Sequence, residues 1–361
     1  MQKIKYQIRK LYASSVLGSL SLTGAWVAIL AARGFSLVEI GLAETAYHVF
    51  SLLTEIPSGA LADVLGRRRM LLWSTLLRLA SGVVMILSDG LGMVCLSIGL
   101  FAVCDSFASG SGEALAYDSL KAAGQEVRYE RYEANQLLIY RLCGGISTLC
   151  AGLALLIGHR AAYAAGIVTG LVQLGVVMSL REMAPRGGAG QKLSGALMGC
   201  FRESLRFLLR ERQALRLMFV NSLVGAADIL LVFFLQAKLP AAGVPEQWLG
   251  PALFAMQLGG VVGGRIVLRL KGWRYRSVYL CAAAVVLAGI LLEHTGVGVI
   301  MAAGGFLSAM ADDALQVRTN TRLQHMFPSA QRATLISVDC FTFSVVMIVL
   351  SPLAGWFFSV W

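Results

Sequence analysis

Charged side chains are scarce in this chain. Only 14% of its 361 residues are Asp, Glu, Lys or Arg, whereas soluble domains average about 25%. A chain of this length needs a large polar surface to stay dissolved in water, and these residues are too few to build one. Hydrophobic residues make up 57% of the sequence. The composition therefore excludes an ordinary soluble protein and indicates lipid as the surrounding solvent.

Cysteine pairs and catalytic motifs are also missing. The seven cysteines include no Cys-x-x-Cys pair and lie mostly within apolar runs, which is typical of reduced, buried thiols. The sequence contains no zinc-ligand spacing, no HExxH, no P-loop and no GxSxG motif. We therefore expect no metal, no cofactor and no enzymatic activity.

Long apolar runs recur along the whole chain, and a membrane-spanning helix needs about 20 such residues. The runs do not alternate polar and apolar residues as barrel strands do. The predicted fold class is thus an all-α multi-pass membrane protein with eleven spans, at 11–32, 38–61, 70–88, 91–115, 135–157, 161–180, 214–237, 248–270, 278–293, 297–317 and 334–359.

The net charge of +11 is distributed unevenly between the two sides of the predicted membrane. On the side away from the amino terminus, the loops hold only Arg33, Arg160 and Lys238, while Arg78 and Arg141 lie within spans. The other basic residues lie on the side of the amino terminus. Because cytoplasmic loops carry an excess of Lys and Arg, this distribution predicts a cytoplasmic amino terminus and gives no reason to expect nucleic-acid binding.

The chain divides at its longest predicted cytoplasmic connection, residues 185–213. Apolar residues at helical spacing there, from Leu197 to Leu208, predict an amphipathic helix on the membrane surface, with a solvated linker as the alternative. Similar basic turns follow the second and eighth spans, about 200 residues apart, which favours duplication of a six-helix unit. We predict bundles over 1–184 and 214–361.

The segment "GALADVLGRRR" resembles the signature of the major facilitator superfamily, G-x-x-x-D-R-x-G-R-R. Val64 stands where that signature usually has arginine, and "EIPSG" and "EALAYDSLKAAG" resemble a poorly characterised bacterial branch, similar to drug and metabolite exporters. The resemblance implies two six-helix bundles that open alternately to each side, and hence that the twelfth helix is missing here. The residues that match the signature are Gly59, Asp63, Gly66, Arg67 and Arg68.

The same resemblance implies a cytoplasmic gate around these matching residues. By family analogy, Asp63 meets the amino-terminal end of the eleventh helix near Ser337. Arg67 is expected to pair with an acid at the end of the fourth helix, either Glu113 or Asp118.

Ionisable residues within the spans cost about 2.5–3.5 kcal/mol each on insertion scales, so they mark functional or tightly paired positions. In the second span, Glu44, His48 and Glu55 share one helical face. This face predicts a proton path. The alternative is a packing face on which Glu55 bonds to the arginines of the neighbouring loop.

Further ionisable residues lie in other spans. Asp105 of the fourth span is expected to pair with Arg141 of the fifth, with Arg78 also available, in either a structural or a switching role. Asp228 shares a face with Asn221 and Gly225 in the seventh span and is a candidate for substrate or proton binding. In the tenth span, Ser308, Asp312 and Gln316 share a face. Ion pairs are expected between three acids and three nearby arginines: Asp312, Asp313 and Asp339 with Arg318, Arg322 and Arg332.

The sequence thus predicts a secondary transporter for a small organic solute in a bacterial inner membrane, with proton-coupled export. Its expected partners are the solute, protons and membrane lipid, and we expect a monomer. A non-transporting sensor, a partner subunit or a truncated remnant is the alternative. The candidates for coupling and the substrate cavity are Glu44, His48, Asp105, Arg141 and Asp228.

Overall fold

The computed structural model describes residues 2–182, 210–270, 272–326 and 332–360, and all regular structure in these ranges is helical. The helices of the first part are α1 (Gln2–Ser19), α2 (Trp26–Ala32), α3 (Leu37–Leu65), α4 (Arg67–Leu87), α5 (Leu91–Ala108), α6 (Ser111–Lys121), α7 (Tyr129–Leu149), α8 (Ala151–Ile157) and α9 (His159–Met178). Those of the second part are α10 (Arg212–Ala241), α11 (Glu246–Ile266), α12 (Tyr275–Glu293), α13 (Gly298–Met326) and α14 (Arg332–Val360).

These helices make the chain a multi-pass membrane protein. Within the described residues, eight helices are long and apolar enough to cross a membrane, or nine if α7 and α8 form one bent span. The eleven spans predicted from the sequence are somewhat more than these eight or nine. The two further spans correspond to α1 with α2, which is interrupted between Ser19 and Trp26, and to α3, which carries Glu39, Glu44 and His48.

The chain turns sharply between helices where glycine takes a backbone conformation that other residues rarely adopt. Gly66, with φ of 94°, separates α3 from α4, and Gly110, with φ of 70°, separates α5 from α6. A left-handed φ costs glycine little because it has no Cβ. The chain can therefore turn from α3 into α4 within a single residue.

The described residues form two compact units. The first unit comprises residues 2–24, 46–147 and 157–182, and the second comprises 25–45, 148–156 and the described part of 210–360. Neither unit is one continuous stretch of chain, because α3 and the α7–α8 region each contribute to both. The predicted boundary at 185–213 falls largely on residues outside the described ranges, so it stays a prediction.

Each unit has its own apolar core. In the first unit, Leu11, Leu115, Leu120 and Val177 are buried with Tyr132, which ties α1, α6, α7 and α9 together. In the second unit, the core residues are Val224, Val278, Ala282, Val286, Ala311 and Leu315, from α10, α12 and α13. These cores fix the helices that carry the polar side chains described next.

Candidate functional site

Asp105 accepts a hydrogen bond from a tyrosine that sequence reasoning missed. The Tyr47 hydroxyl on α3 donates to Asp105 Oδ2 on α5 over 3.0 Å. The predicted ion pair between Asp105 and Arg141 is wrong: in the described residues Arg141 makes no ion pair with this acid, and its side chain is exposed. Helical spacing places Arg141 on a face of α7 but does not say what that face meets.

Arg78 is the basic residue whose charge acts on Asp105. Its Nη1 donates to the carbonyl oxygen of Leu17 over 3.1 Å and to Gln173 Oε1 over 3.0 Å. Gln173 in turn donates to the carbonyl oxygen of Ser14 over 3.1 Å. Arg78 on α4 therefore satisfies polar groups near the end of α1 and on α9, where an unpaired buried carbonyl would be costly.

The polar face of α3 is buried over part of its length. Glu44 and His48 are 8% and 6% exposed, and the imidazole of His48 meets the Tyr47 ring edge-on at 5.2 Å between centroids. Glu55, nearer the end of α3, lies beside Ser106 of α5. Among the described residues Glu55 forms no ion pair with an arginine, so the alternative prediction for this residue is wrong.

Arg67 makes the pairing expected from the signature. Its Nη1 donates to the Ala114 carbonyl oxygen over 2.7 Å and forms an ion pair with the Asp118 carboxylate. Of the two acids predicted, Asp118 is thus the partner of Arg67. This contact joins the first turn of α4 to α6 within the first unit, and the gate role of these residues stays a prediction.

Arg68 connects the same end of α4 to the end of α9. Its backbone N–H donates to Glu182 Oε2 over 2.9 Å, and its Nη2 donates to the Met178 carbonyl oxygen over 2.7 Å. A carboxylate at the start of α4 and a guanidinium at the end of α9 both match the helix dipoles. A Cβ at Gly66 would lie 2.7 Å from Glu182 Oε2, so glycine leaves room for that carboxylate.

Glu113 lies beside a cluster of tyrosines that sequence reasoning also missed. Tyr129 and Tyr132 of α7 stack at 6.1 Å, and Tyr12 of α1 stacks on Tyr132 at 5.1 Å. Buried oxygens of Glu113 and of Glu133 have no hydrogen-bond partner among the described residues. Tyrosines at helical spacing are common in the cores between helices. The sequence therefore does not distinguish this cluster from ordinary packing residues.

Asp228 is 7% exposed and lies beside Ser308 of α13. Asp312, one turn further along α13, is 9% exposed and faces Gly225 of α10. Among the described residues Asp312 forms no ion pair with Arg318 or Arg322, because it lies on the face of α13 that packs against α10. The side chain of Arg332 lies outside the described part of the structure, so the wider pairing of these acids with arginines stays a prediction.

Lys238 and Glu293 form a largely buried ion pair in the described part of the second unit. Lys238 Nζ of α10 lies 2.8 Å from Glu293 Oε1 of α12, and the Glu293 side chain is 4% exposed. The same ammonium lies 5.6 Å from the centroid of the Phe358 ring of α14. Lys238 was predicted in a loop, and instead it lies in the last turn of α10 and joins three helices.

Some predicted positions lie in parts of the chain whose side chains are outside the described structure. Gly59 and Asp63 lie on α3, but the side-chain environment there is outside the described part of the structure, as is that of Ser337. The predicted amphipathic helix within 185–213 also lies largely outside the described residues.

Comparison with known proteins agrees with this helical architecture. The family model described as Major Facilitator Superfamily matches residues 11–352. No curated protein sequence matches the chain. Solved structures do match, among them a point mutant of the nucleoside transporter NupG, with a TM-score of 0.76 and 13% identity over 96% of this chain and 90% of that one.

Two further solved structures are similar over nearly the whole chain. One is a bacterial homologue of the human lysosomal transporter Spinster, with a TM-score of 0.69 and 15% identity over 97% of this chain and 81% of that one. The other is a point mutant of a peptide transporter, POT, in complex with sulfate, with a TM-score of 0.71 and 12% identity over 97% of this chain and 88% of that one. At such low sequence identities, the similarity shows a shared fold and nothing about the transported solute.

Proposed function

Because the chain belongs to the Major Facilitator Superfamily, we propose that it is a secondary transporter that exports a small organic solute by alternating access, in exchange for protons. The family and the similar structures support secondary transport itself. The direction of transport and the coupling to protons are the parts that this proposal adds.

The observation that carries the coupling proposal is a set of acids buried within apolar helices. Glu44 and Asp228 are less than a tenth exposed, and Asp105 is held by Tyr47. Ionisable groups at membrane depth are costly, so they persist mainly where they bind ions, protons or substrate. With His48, these residues are the candidates for proton transfer. Arg141, which is exposed, remains a candidate for contact with the solute.

We propose a bacterial inner membrane and a cytoplasmic amino terminus. The proposal rests on the excess of Lys and Arg in segments on the amino-terminal side. In this orientation the Arg67–Asp118 and Arg68–Glu182 contacts lie at the cytoplasmic end of the first unit. They would hold that end rigid while Asp63, on the adjoining turn of α3, takes part in the gate, together with Gly59, Gly66 and Glu113.

The substrate panel for testing transport begins with the solutes named for two similar structures, nucleosides and peptides. Drug-like organic cations and sugars complete it, because the family fold alone does not select a solute. The panel tests the non-transporting alternative at the same time. A folded chain that moves none of these solutes would favour that alternative.

The test of coupling uses the purified full chain in proteoliposomes loaded with the panel solutes. An inward proton gradient should accelerate efflux, and collapse of the gradient with a protonophore should abolish that acceleration. Asp105→Asn and Asp228→Asn should lose at least tenfold of the gradient-driven rate while retaining solute exchange without a gradient. Asp89→Asn changes an exposed loop acid and should behave as the parent chain. Transport that ignores the gradient would contradict proton coupling.

A further inference from the structure

Two polar helix faces oppose each other where α10 packs against α13. Asp228 lies beside Ser308, and Gly225, almost one turn earlier on α10, faces Asp312, one turn later on α13. The two helices therefore run antiparallel with their polar faces in register. Sequence spacing placed each set of residues on one face, and the structure brings the two faces together inside the second unit.

Several oxygens on these faces lack hydrogen-bond partners. Within the described residues, Oδ1 of Asp228 and Oδ1 of Asp312 are buried without a hydrogen-bond partner. Oδ1 of Asn221, one turn from Gly225 on the same face, is in the same state. The exposed fractions are 7% for Asp228, 9% for Asp312, 0% for Ser308 and 9% for Asn221. Buried polar atoms in native proteins are nearly always satisfied, so these oxygens mark a place where an ion, a ligand or ordered water can bind.

Glycine creates the space that the Asp312 carboxylate occupies. A Cβ at position 225 would lie 3.3 Å from Asp312 Oδ1 and 3.7 Å from Oδ2. Any larger residue at 225 would therefore crowd this carboxylate, and the Asp312 side chain would have to shift to make room. The carboxylate therefore sits directly against α10, between the turns that carry Asn221 and Asp228.

The charge in this region is unbalanced. Neither Asp228 nor Asp312 forms an ion pair in the part of the chain that the structure describes, and the nearby acid Asp313, which faces α11 at Gly260, adds further negative charge. Two neighbouring carboxylates in a buried site cannot both stay ionised without a compensating positive charge. One bound positive charge would reduce the charge of the pair from two negative charges to one and would bridge the two carboxylates.

We propose that Asp228 and Asp312 form a binding site for one monovalent cation, either a proton shared between the carboxylates or a sodium ion, with Ser308 and Asn221 supplying neutral oxygens. All four donors are hard oxygen ligands, which suit these cations and not soft metals. A role for this cation in driving solute movement rests on the proposed function. The binding of the cation does not.

The binding test uses the purified full chain in lipid nanodiscs without any solute. The melting temperature is measured in sodium chloride and in choline chloride of equal ionic strength, and infrared difference spectra record protonated carboxyl groups across a pH series. For a sodium site, sodium raises the melting temperature of the parent chain, and Asp228→Asn and Asp312→Asn abolish that rise. For a proton site, sodium has no effect, and the parent shows a protonated carboxyl band at neutral pH that either substitution removes.

Milder variants keep the test valid if an Asn substitution prevents folding. Ser308→Ala and Gly225→Ala should each weaken cation affinity about tenfold. The first removes one oxygen ligand, and the second crowds the Asp312 carboxylate. Asp89→Asn should change neither measurement. The proposal is overturned if the parent chain shows neither a sodium-dependent rise nor a protonated carboxyl band that depends on this pair.

The same variants separate this inference from the proposed function. A chain that binds the cation but transports no solute would contradict the proposed function alone. Gradient-driven transport that survives both Asp228→Asn and Asp312→Asn would contradict the coupling role of this site while leaving secondary transport intact.

Discussion

In the second unit most glycines at helix crossings face backbone, whereas in the first unit most face side chains. A Cβ on Gly41 of α3 would overlap the Ser351 carbonyl of α14, and one on Gly152 of α8 would overlap the Glu246 carbonyl of α11. The other glycines of this kind in the second unit are Gly250, Gly259, Gly263, Gly289, Gly304 and Gly355. In the first unit, Gly82 faces Ile167 and Gly99 faces Phe50, and Gly24 is the exception that faces backbone.

This difference has a mechanical meaning. Side chains can change rotamer to absorb a small shift, but a carbonyl resting on a Cα cannot, because moving it displaces the whole helix. Helices in membranes associate through such close contacts between small residues. Both units contain ion pairs, Arg67–Asp118 in the first and Lys238–Glu293 in the second. In the second unit, however, the carboxylates of Asp228 and Asp312 have no basic partner among the described residues, and they lie among helices that cross through such close contacts.

The largest expected effect comes from the ion pair of the second unit. Lys238→Met should lower the free energy of unfolding by about 3–5 kcal/mol, because it leaves the carboxylate of Glu293 buried without a partner. The double variant Lys238→Met with Glu293→Gln should recover much of this loss. Thermal unfolding of the purified chain in detergent measures both.

This prediction tests whether Lys238 and Glu293 stabilise the folded chain by pairing with each other. If the two single substitutions and the double variant have additive costs, the two side chains are not coupled and the assignment is wrong. Arg69→Met, at an exposed position in the first unit, is the matched control and should cost less than about 0.5 kcal/mol.

A smaller effect should separate the two kinds of glycine contact. Gly41→Ala should destabilise the chain by about 1–3 kcal/mol, because the new methyl group meets a carbonyl that cannot move away. Gly82→Ala places its Cβ 3.1 Å from Ile167 Cγ1, a side-chain atom that can shift, and should cost less.

Gly92→Ala controls for the intrinsic effect of alanine in a helix. Nothing lies within 4 Å of a Cβ at Gly92, so this change should be neutral or stabilise by up to about 1 kcal/mol. The melting temperatures of the three variants give the comparison directly. Equal costs at Gly41 and Gly82 would contradict the distinction between backbone and side-chain contacts.

The smallest effect on stability is expected at the contact between α4 and α6. Arg67→Met should cost about 1 kcal/mol, since the pair with Asp118 is partly exposed and surface pairs contribute little. If this contact belongs to the cytoplasmic gate, the transport rate should nevertheless fall at least tenfold. Solute flux from proteoliposomes measures the rate, with Arg69→Met as the control. Unchanged flux in Arg67→Met would limit the pair to a structural role.

The sequence predicts the helices well because each is a long apolar run, but it predicts their interruptions poorly. The break between Ser19 and Trp26 and the turn at Gly110 lie within runs that contain little polar signal. The resemblance to a known signature correctly identified the pairing of Arg67 with an acid on α6, because the motif specifies both helices.

The partners of buried ionisable groups were harder to predict. Helical periodicity shows that Asp228 shares a face with Gly225, and that Ser308 shares one with Asp312, but it cannot show that these two faces meet. The same limit produced the wrong partner for Asp105, since Tyr47 has no charge to mark it. Which helix lies beside which depends on packing across long separations in the sequence.

The division of α3 between two units has a consequence for how the protein is made. Gly41 and Thr45 contact residues near Ser351, and the Thr45 hydroxyl lies 3.4 Å from the carbonyl oxygen of Ile348, 303 positions later in the chain. During synthesis the start of α3 therefore enters the membrane long before its packing partner exists. We expect this segment to stay protease-sensitive in nascent chains that end before α14, and to become protected only when the last described helix has been inserted.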